Sequence, residues 1–176
     1  PAKAGLPDLP AVDETRQVAV NVPGKTQSDI VMGVLGPSRF EPDYRAAQMV
    51  NSVLGQFGMM GRIGDEVRER LGLAYYAYSG IEGGLGPGAW SVSAGVNPTN
   101  VQLAIESVVT EIRRITTEEV TDEDINDNKS YFTGHLPLQL ESNEGIAGSI
   151  LNMETYQLGL DNLLQYADEI NALTKA

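Results

Sequence analysis

The side chains that could support hydrolytic chemistry are few in this chain. It contains one histidine, His135, and no cysteine. A peptidase zinc site of the H-x-x-E-H or H-E-x-x-H type needs two imidazoles, so it cannot be assembled from a single histidine. The next residues, Leu136, Pro137 and Leu138, are mostly apolar, and we interpret His135 as a structural or solvent-facing residue. The sequence therefore predicts that this chain provides no metal site of its own.

Other site types are incomplete as well. Ser91 and Ser93 lie in a predicted strand, without the sharp strand-to-helix turn and the histidine that a serine hydrolase needs. The glycine-rich segment 82–88 is followed by a strand, and no Gly-Lys-Ser/Thr follows it, which excludes a phosphate-binding loop. The acidic run 122–124 lacks the glycine-punctuated loop of a calcium site and is typical of a solvated helix start.

Composition excludes further classes of function. The 176 residues, 41% of them apolar, are enough for one compact domain. A formal charge of −12 argues against binding to nucleic acid or to anionic membranes, since phosphate attraction requires clustered Lys and Arg. No apolar run reaches the roughly 20 residues that span a bilayer, and no targeting signal is present in the segment. The compartment is therefore left open by the sequence.

The most specific pattern lies at 61–75, where the sequence reads GRIGDEVRERLGLAY. A glycine-rich loop leads to Arg68 within a charged run, and Gly-Leu-Ala-Tyr then enters a strand, so that Arg68 and Tyr75 stand seven residues apart. This pattern resembles a hallmark of the pitrilysin and mitochondrial-processing-peptidase family of zinc metallopeptidases. Segment 23–28, which precedes this pattern, and segment 138–159, which comes after it, also fall in the family's usual order. The resemblance covers nearly the whole chain.

The resemblance implies the second, zinc-free domain of such a subunit, because the zinc-bearing domain of this inverzincin family carries H-x-x-E-H soon after its first strands. It also implies that Arg68 and Tyr75 face a zinc site on a missing N-terminal domain or a partner subunit. There they would bind the peptide backbone and stabilise the charged intermediate, for which guanidinium and phenol donors are suited. Met59 and Met60, in the loop before this helix, are expected to line the chamber as an adaptable apolar surface.

Two functions stay open at this point. In the first, the domain binds peptide substrate beside a homologous zinc-bearing domain or subunit, and the chain alone cleaves nothing. In the second, it is a structural or assembly domain of a peptidase-like subunit without a proteolytic role. The presence of both Arg68 and Tyr75 favours the first. A small-ligand enzyme would require a cluster of titratable residues that the sequence does not indicate.

An α+β domain must position these residues, with a mainly antiparallel sheet and helices packed on one face, the half-subunit fold of the metallopeptidase. Residues 1–15 are interpreted as an inter-domain linker, and 16–176 as a single domain cut from a longer chain, with its C-terminal end truncated. Period-two alternation predicts strands at 16–22, 28–35, 74–81 and 89–96. Helical spacing and start and stop signals predict helices at 43–54, 65–71, 101–115, from 121 with a break or bend near 134–137, and 161–176. The stripe of the third helix, Val101, Ala104, Ile105, Val108, Ile112 and Ile115, is expected to be buried.

Overall fold

The computed structural model describes residues 12–175, and within this range it contains one antiparallel sheet. The strands are β1 (Ser28–Leu35), β2 (Ala74–Ile81) and β3 (Ala89–Val96), in the order β1-β3-β2. Ala94 of β3 is central, since it pairs with Ile30 of β1 on one side and with Ala77 of β2 on the other. The side chains of these three residues face the helices, which confirms the predicted α+β class and the three corresponding strands.

The predicted strand at 16–22 is wrong, because this segment does not join the described sheet. Its valines alternate in the sequence as those of a half-buried strand would, but Val18, Val20 and Val22 are 84%, 79% and 54% exposed. The turn at Gly24 forms, with the backbone N of Lys25 donating to the carbonyl of Val22. Alternation describes the period of a strand, whereas a strand also needs a hydrogen-bonded neighbour and a surface that covers one face.

The described range contains six α-helices. They are α1 (Tyr44–Gly55), α2 (Phe57–Gly64), α3 (Val101–Thr117), α4 (Asp122–Gln139), α5 (Asn143–Thr155) and α6 (Asn162–Ala172). The predicted positions of α1, α3 and α6 and the start of α4 after Thr121 are confirmed. The predicted break near 134–137 is not present, because α4 continues through Pro137 to its end.

The glycine-rich and methionine-rich segment before Asp65 was predicted to be a loop, and the structure shows α2 instead. Gly58, Met60 and Gly61 have φ values of +62°, +77° and +62°, so the helix is locally irregular. A Cβ on Gly61 would lie 2.6 Å from the backbone N of Gly55 and 2.6 Å from the carbonyl O of Val53. Gly61 therefore allows close contact between α2 and α1, a tertiary requirement that resembles a loop signal in the sequence.

The core lies between the inner face of the sheet and helices α1, α2 and α3. Its buried members are Leu54, Ile63, Val67, Ala77, Val92, Ala94, Val96, Ala104 and Val108. The predicted stripe of α3 contributes Ala104 and Val108, both almost completely buried, while Val101, Ile112 and Ile115 pack at its margin and Ile105 is half-buried. The same core therefore holds helix α3 against strands β2 and β3.

A buried polar contact fixes α1 against two strands. The side-chain Oδ1 of Asn51 accepts hydrogen bonds from Ser79 Oγ at 2.8 Å and from Trp90 Nε1 at 2.9 Å. Asn51 and Ser79 are almost completely buried, at 2% and 0% exposure. Buried polar groups of this kind are costly when unpaired, so the contact sets the relative position of α1, β2 and β3.

Asp124 joins the start of α4 to α2. Its backbone N donates to Thr121 Oγ1 at 3.0 Å, and its Oδ2 accepts from the backbone N of Thr121 at 3.2 Å and from Arg62 Nη2 at 2.6 Å. Burial raises the pKa of Asp124, but the hydrogen bonds from Arg62 and Thr121 outweigh burial, and the net shift is downward. The ionised carboxylate is therefore the form that stabilises the folded chain.

The lowered pKa of Asp124 predicts a pH-dependent contribution to stability. The contribution is fully present above the unfolded-state pKa of about 3.9 and is lost as the pH falls through the lower folded-state value. At pH 7, Asp124→Asn should lower the free energy of unfolding by about 1 to 2 kcal/mol. Urea denaturation at neutral and at strongly acidic pH measures the difference, which should shrink in acid. Asp127→Asn, an exposed change on the same helix, is the control, and an equal loss in both variants would contradict the assignment.

Candidate functional site

Arg68 lies in a π-helical turn, Asp65–Arg70, that continues directly from α2. The turn ends as the sequence predicted, at Gly72, which has a φ of +61° and whose backbone N donates to the carbonyl of Arg68 at 3.1 Å. Leu73 N donates to the carbonyl of Val67 at 2.9 Å, and the side chain of Val67 is completely buried. The backbone that carries Arg68 is therefore anchored on its inner side.

The guanidinium of Arg68 has weak contacts compared with its neighbours. Its ion pair is with Glu69, at 3.5 Å between Nε and Oε1, and no hydrogen bond from its side chain is found among the described residues. By contrast, Arg70 forms a hydrogen-bonded pair with Glu66 and thereby lowers the pKa of that carboxyl. Arg62 is held by its bond to Asp124. Arg68 is thus the arginine of this segment whose donors are most available to a ligand.

Tyr75 lies at the beginning of β2, where the pairing with β3 shifts by one residue between Ala74 and Tyr76. Its side chain is 81% exposed, and its hydroxyl makes no hydrogen bond with the described part of the chain. Tyr76 differs, since its hydroxyl lies 3.2 Å from Asp29 Oδ1, and burial together with Asp29 raises its pKa. The bulge therefore separates two adjacent tyrosines: Tyr76 is bonded to β1, the opposite edge strand of the sheet, and Tyr75 has no hydroxyl partner among the described residues.

The two predicted site residues thus lie on either side of the Gly72 turn, each with unengaged donors. Whether their side chains project toward one common surface stays a prediction. Met60 is half-buried, and its Sδ lies 3.4 Å from the backbone N of Ala77. The side chain of Met59 lies outside the described part of the structure. The expectation that these methionines line a chamber likewise stays a prediction.

The side chains that the structure describes do not fit a zinc ion. Across the described range, no three His, Cys, Asp or Glu side chains are arranged to hold a metal. The single imidazole, that of His135, is exposed and stacks on the ring of Tyr131 with 5.7 Å between centroids. Within residues 12–175, no helix combines the length and the apolar composition that crossing a membrane requires.

Solved structures share this fold. A peptidase M16 inactive domain from Pseudomonas fluorescens aligns with a TM-score of 0.79 and 27% identity, covering 85% of this chain and 36% of that one. A protease from Helicobacter pylori aligns with a TM-score of 0.80, covering 89% and 38%, and at 20% identity it supports the fold alone.

The sequence comparisons agree with the structural ones. A protein of Streptomyces coelicolor named as an uncharacterized zinc protease is 29% identical over 141 residues, which are 78% of this chain and 30% of that protein. The chain therefore spans about a third of the length of the curated relative it matches. Residues 1–132 match the family model described as the peptidase M16 inactive domain. This match confirms the resemblance inferred from the 61–75 pattern, and the chain belongs to the family of peptidase M16 inactive domains.

Proposed function

We propose that this domain binds the backbone of a peptide and helps to stabilise the charged intermediate formed at a zinc site on another domain or subunit. The supporting observation is that the π-helical turn and the sheet bulge fall at Arg68 and Tyr75. Irregularities of both kinds recur at functional sites, where they direct a side chain away from regular packing. Both side chains have donors without a close partner among the described residues.

The two donors suit different parts of the reaction. A guanidinium presents a rigid fork of N–H groups, which matches carbonyl oxygens that are present in the substrate as well as in the intermediate. A phenol contributes one O–H, which is most valuable where negative charge develops. The zinc ligands would be supplied by an H-x-x-E-H helix outside this chain, so the domain alone would cleave no peptide.

Arg68→Ala tests the binding part of this proposal in the complete enzyme, with the zinc-bearing domain or subunit present. We expect KM for a peptide to rise roughly tenfold, since a charged hydrogen bond of about 1.5 to 3 kcal/mol is lost in the ground state. Steady-state kinetics beside the melting temperature measures this change.

Arg70→Ala is the matched control, because it removes the same charge from the same turn while its guanidinium is already paired with Glu66. It should leave KM within about twofold of the unmodified enzyme. An equal rise in KM for both variants would show that the effect comes from the loss of net charge. If KM rises in neither variant, Arg68 does not bind the substrate.

A structural or assembly role is the second candidate, and the outer face of the sheet favours it. Val31 and Leu35 of β1 and Tyr78 of β2 are 73%, 44% and 47% exposed on the face opposite the helices. Exposed apolar side chains grouped on one face are typical of contact surfaces. This function becomes the better explanation if variants of Arg68 and of Tyr75 both leave peptide cleavage unchanged.

A further inference from the structure

A second region of the domain has a different character from the Arg68 turn. A cavity of about 280 Å³ is bounded by α1, α4, α5 and α6 and by the segment before α1. None of the sixteen described residues that line it is Asp or Glu, although 24 of the 176 residues are acidic. Two arginines, Arg39 and Arg45, lie at its wall together with several side-chain amides. In a chain of charge −12, this is a locally positive and donor-rich pocket.

Arg39 is held in place without using its hydrogen-bond donors. Its guanidinium carbon lies 4.6 Å from the ring centroid of Tyr44 and 5.5 Å from that of Tyr156. Its backbone N donates to the carbonyl of Gly84 at 3.0 Å, so the main chain is fixed as well. Within the described residues its side chain forms no hydrogen bond and no ion pair. Since stacking uses the face of the guanidinium, the N–H groups at its edge are left for a ligand.

Arg45 supports the same pocket but is partly neutralised. Its Nε donates to Glu169 Oε2 at 3.2 Å, and its guanidinium carbon lies 4.8 Å from the ring centroid of Tyr166. Burial raises the pKa of Tyr166, while the charges of Arg45 and Arg39 oppose that increase. Both arginines therefore lie close enough to the Tyr166 hydroxyl at the cavity wall to oppose the increase in its pKa.

Part of the remaining wall is apolar. Phe132, Leu136, Met153 and Leu163 line the cavity, and its volume lies just below the usual range of about 300 to 1,000 Å³ for ligand pockets. One unpaired planar guanidinium matches one carboxylate through two parallel hydrogen bonds. An apolar patch in the same wall favours a singly charged amphiphile over a multiply charged phosphate, which would cost more to desolvate.

We propose that this cavity binds a small amphiphilic carboxylate, with its carboxylate on Arg39 and its apolar part against Phe132, Met153 and Leu163. The ligand could be a free organic acid or the C-terminal residue of a peptide, since both present the same group. The inference is independent of the proposed function, because neither Arg68 nor Tyr75 lines the cavity.

Isothermal titration calorimetry of the purified protein with N-acetyl-L-phenylalanine and with its amide tests the proposal. The acid should bind, and the amide should bind at least tenfold more weakly, because it lacks the charge that Arg39 recognises. A peptide ending in phenylalanine distinguishes the sources: tighter binding than that of the free acid points to a peptide terminus, and weaker binding points to a small acid.

Arg39→Gln should weaken binding of the acid by roughly ten- to a hundredfold. Arg39→Lys keeps the charge but loses the forked N–H donors. Its affinity for the acid should fall between that of the unmodified protein and that of Arg39→Gln. Arg113→Gln is the matched control, an exposed arginine of α3 that does not line the cavity, and it should bind as the unmodified protein does. Circular dichroism melting of each variant verifies that it is folded. The proposal is overturned if the acid fails to bind at millimolar concentration, if acid and amide bind equally, or if folded Arg39→Gln binds like the control.

Discussion

Replacing Tyr75 with phenylalanine is expected, under the proposed function, to lower the turnover number for peptide cleavage by the assembly with the zinc-bearing domain or subunit by roughly ten- to a thousandfold. The change removes one O–H donor and leaves the ring, which is 81% exposed and has no hydroxyl partner among the described residues. Folding should therefore be unaffected. If the hydroxyl donates only to the charged intermediate, kcat falls while KM is nearly constant, in contrast to the rise in KM expected for Arg68→Ala.

Tyr76→Phe provides the matched control for this experiment. It removes the hydroxyl of the next residue, whose contact is with Asp29 on β1, the opposite edge strand of the sheet. Turnover should be unchanged in this variant, because that contact belongs to the sheet. Peptide cleavage is measured beside the melting temperature for both variants. If Tyr75→Phe cleaves at the unmodified rate, or loses activity only in proportion to lost stability, then Tyr75 is structural and the assembly role is preferred.

Gly55→Ala is expected to lower the free energy of unfolding by about 3 kcal/mol, since overpacking a tight contact commonly costs 1 to 3 kcal/mol or more. A Cβ at this position would lie 2.3 Å from Ser79 Oγ, 2.4 Å from the backbone N of Ser79 and 2.8 Å from its Cβ. Backbone atoms cannot move aside as the end of a flexible side chain can. Displacing Ser79 would also break its buried hydrogen bond to Asn51.

The same substitution at an open helical position has the opposite expected sign. A Cβ on Gly148 of α5 would meet no atom within 4 Å, so Gly148→Ala should stabilise the chain by about 0.5 to 1 kcal/mol through helix propensity. Thermal unfolding should show Gly55→Ala lower in melting temperature by roughly 6 to 12 °C and Gly148→Ala slightly higher. Similar small changes in the melting temperatures of both variants would contradict this expectation, because they would show that α1 and β2 can move apart without a loss of stability.

Local pattern was sufficient for most of the elements. The alternation of β1 and β3 and the apolar stripe of α3 reflect periods that are written into consecutive residues, and each element adopted the predicted structure. The Gly72 stop was predictable for the same reason, because a left-handed turn after a helix selects glycine. The segment 16–22 has an equally clear period but no partner strand among residues 12–175, which local pattern cannot reveal.

The candidate sites also have features that local pattern predicted and features that it could not predict. The spacing of Arg68 and Tyr75 pointed to a family that the comparisons confirm, but the free donors of Arg68 depend on how Glu66 and Asp124 engage the neighbouring arginines. The cavity at Arg39 had no signal in the sequence, because its walls come from segments 39–56 and 131–166, which are about 75 residues apart. Their side chains share no local spacing.

The sequence by itself determined the class of fold, the lack of a histidine pair for zinc and the Arg68 to Tyr75 pattern, since these depend on composition and on residues close together in the chain. Only the tertiary structure decided the strand order β1-β3-β2, the helical form of α2 and the closing of α1 and α4 to α6 around Arg39. These features arise from contacts between distant segments. Their energies depend on which surfaces and donors meet, and that is settled only when the whole chain packs.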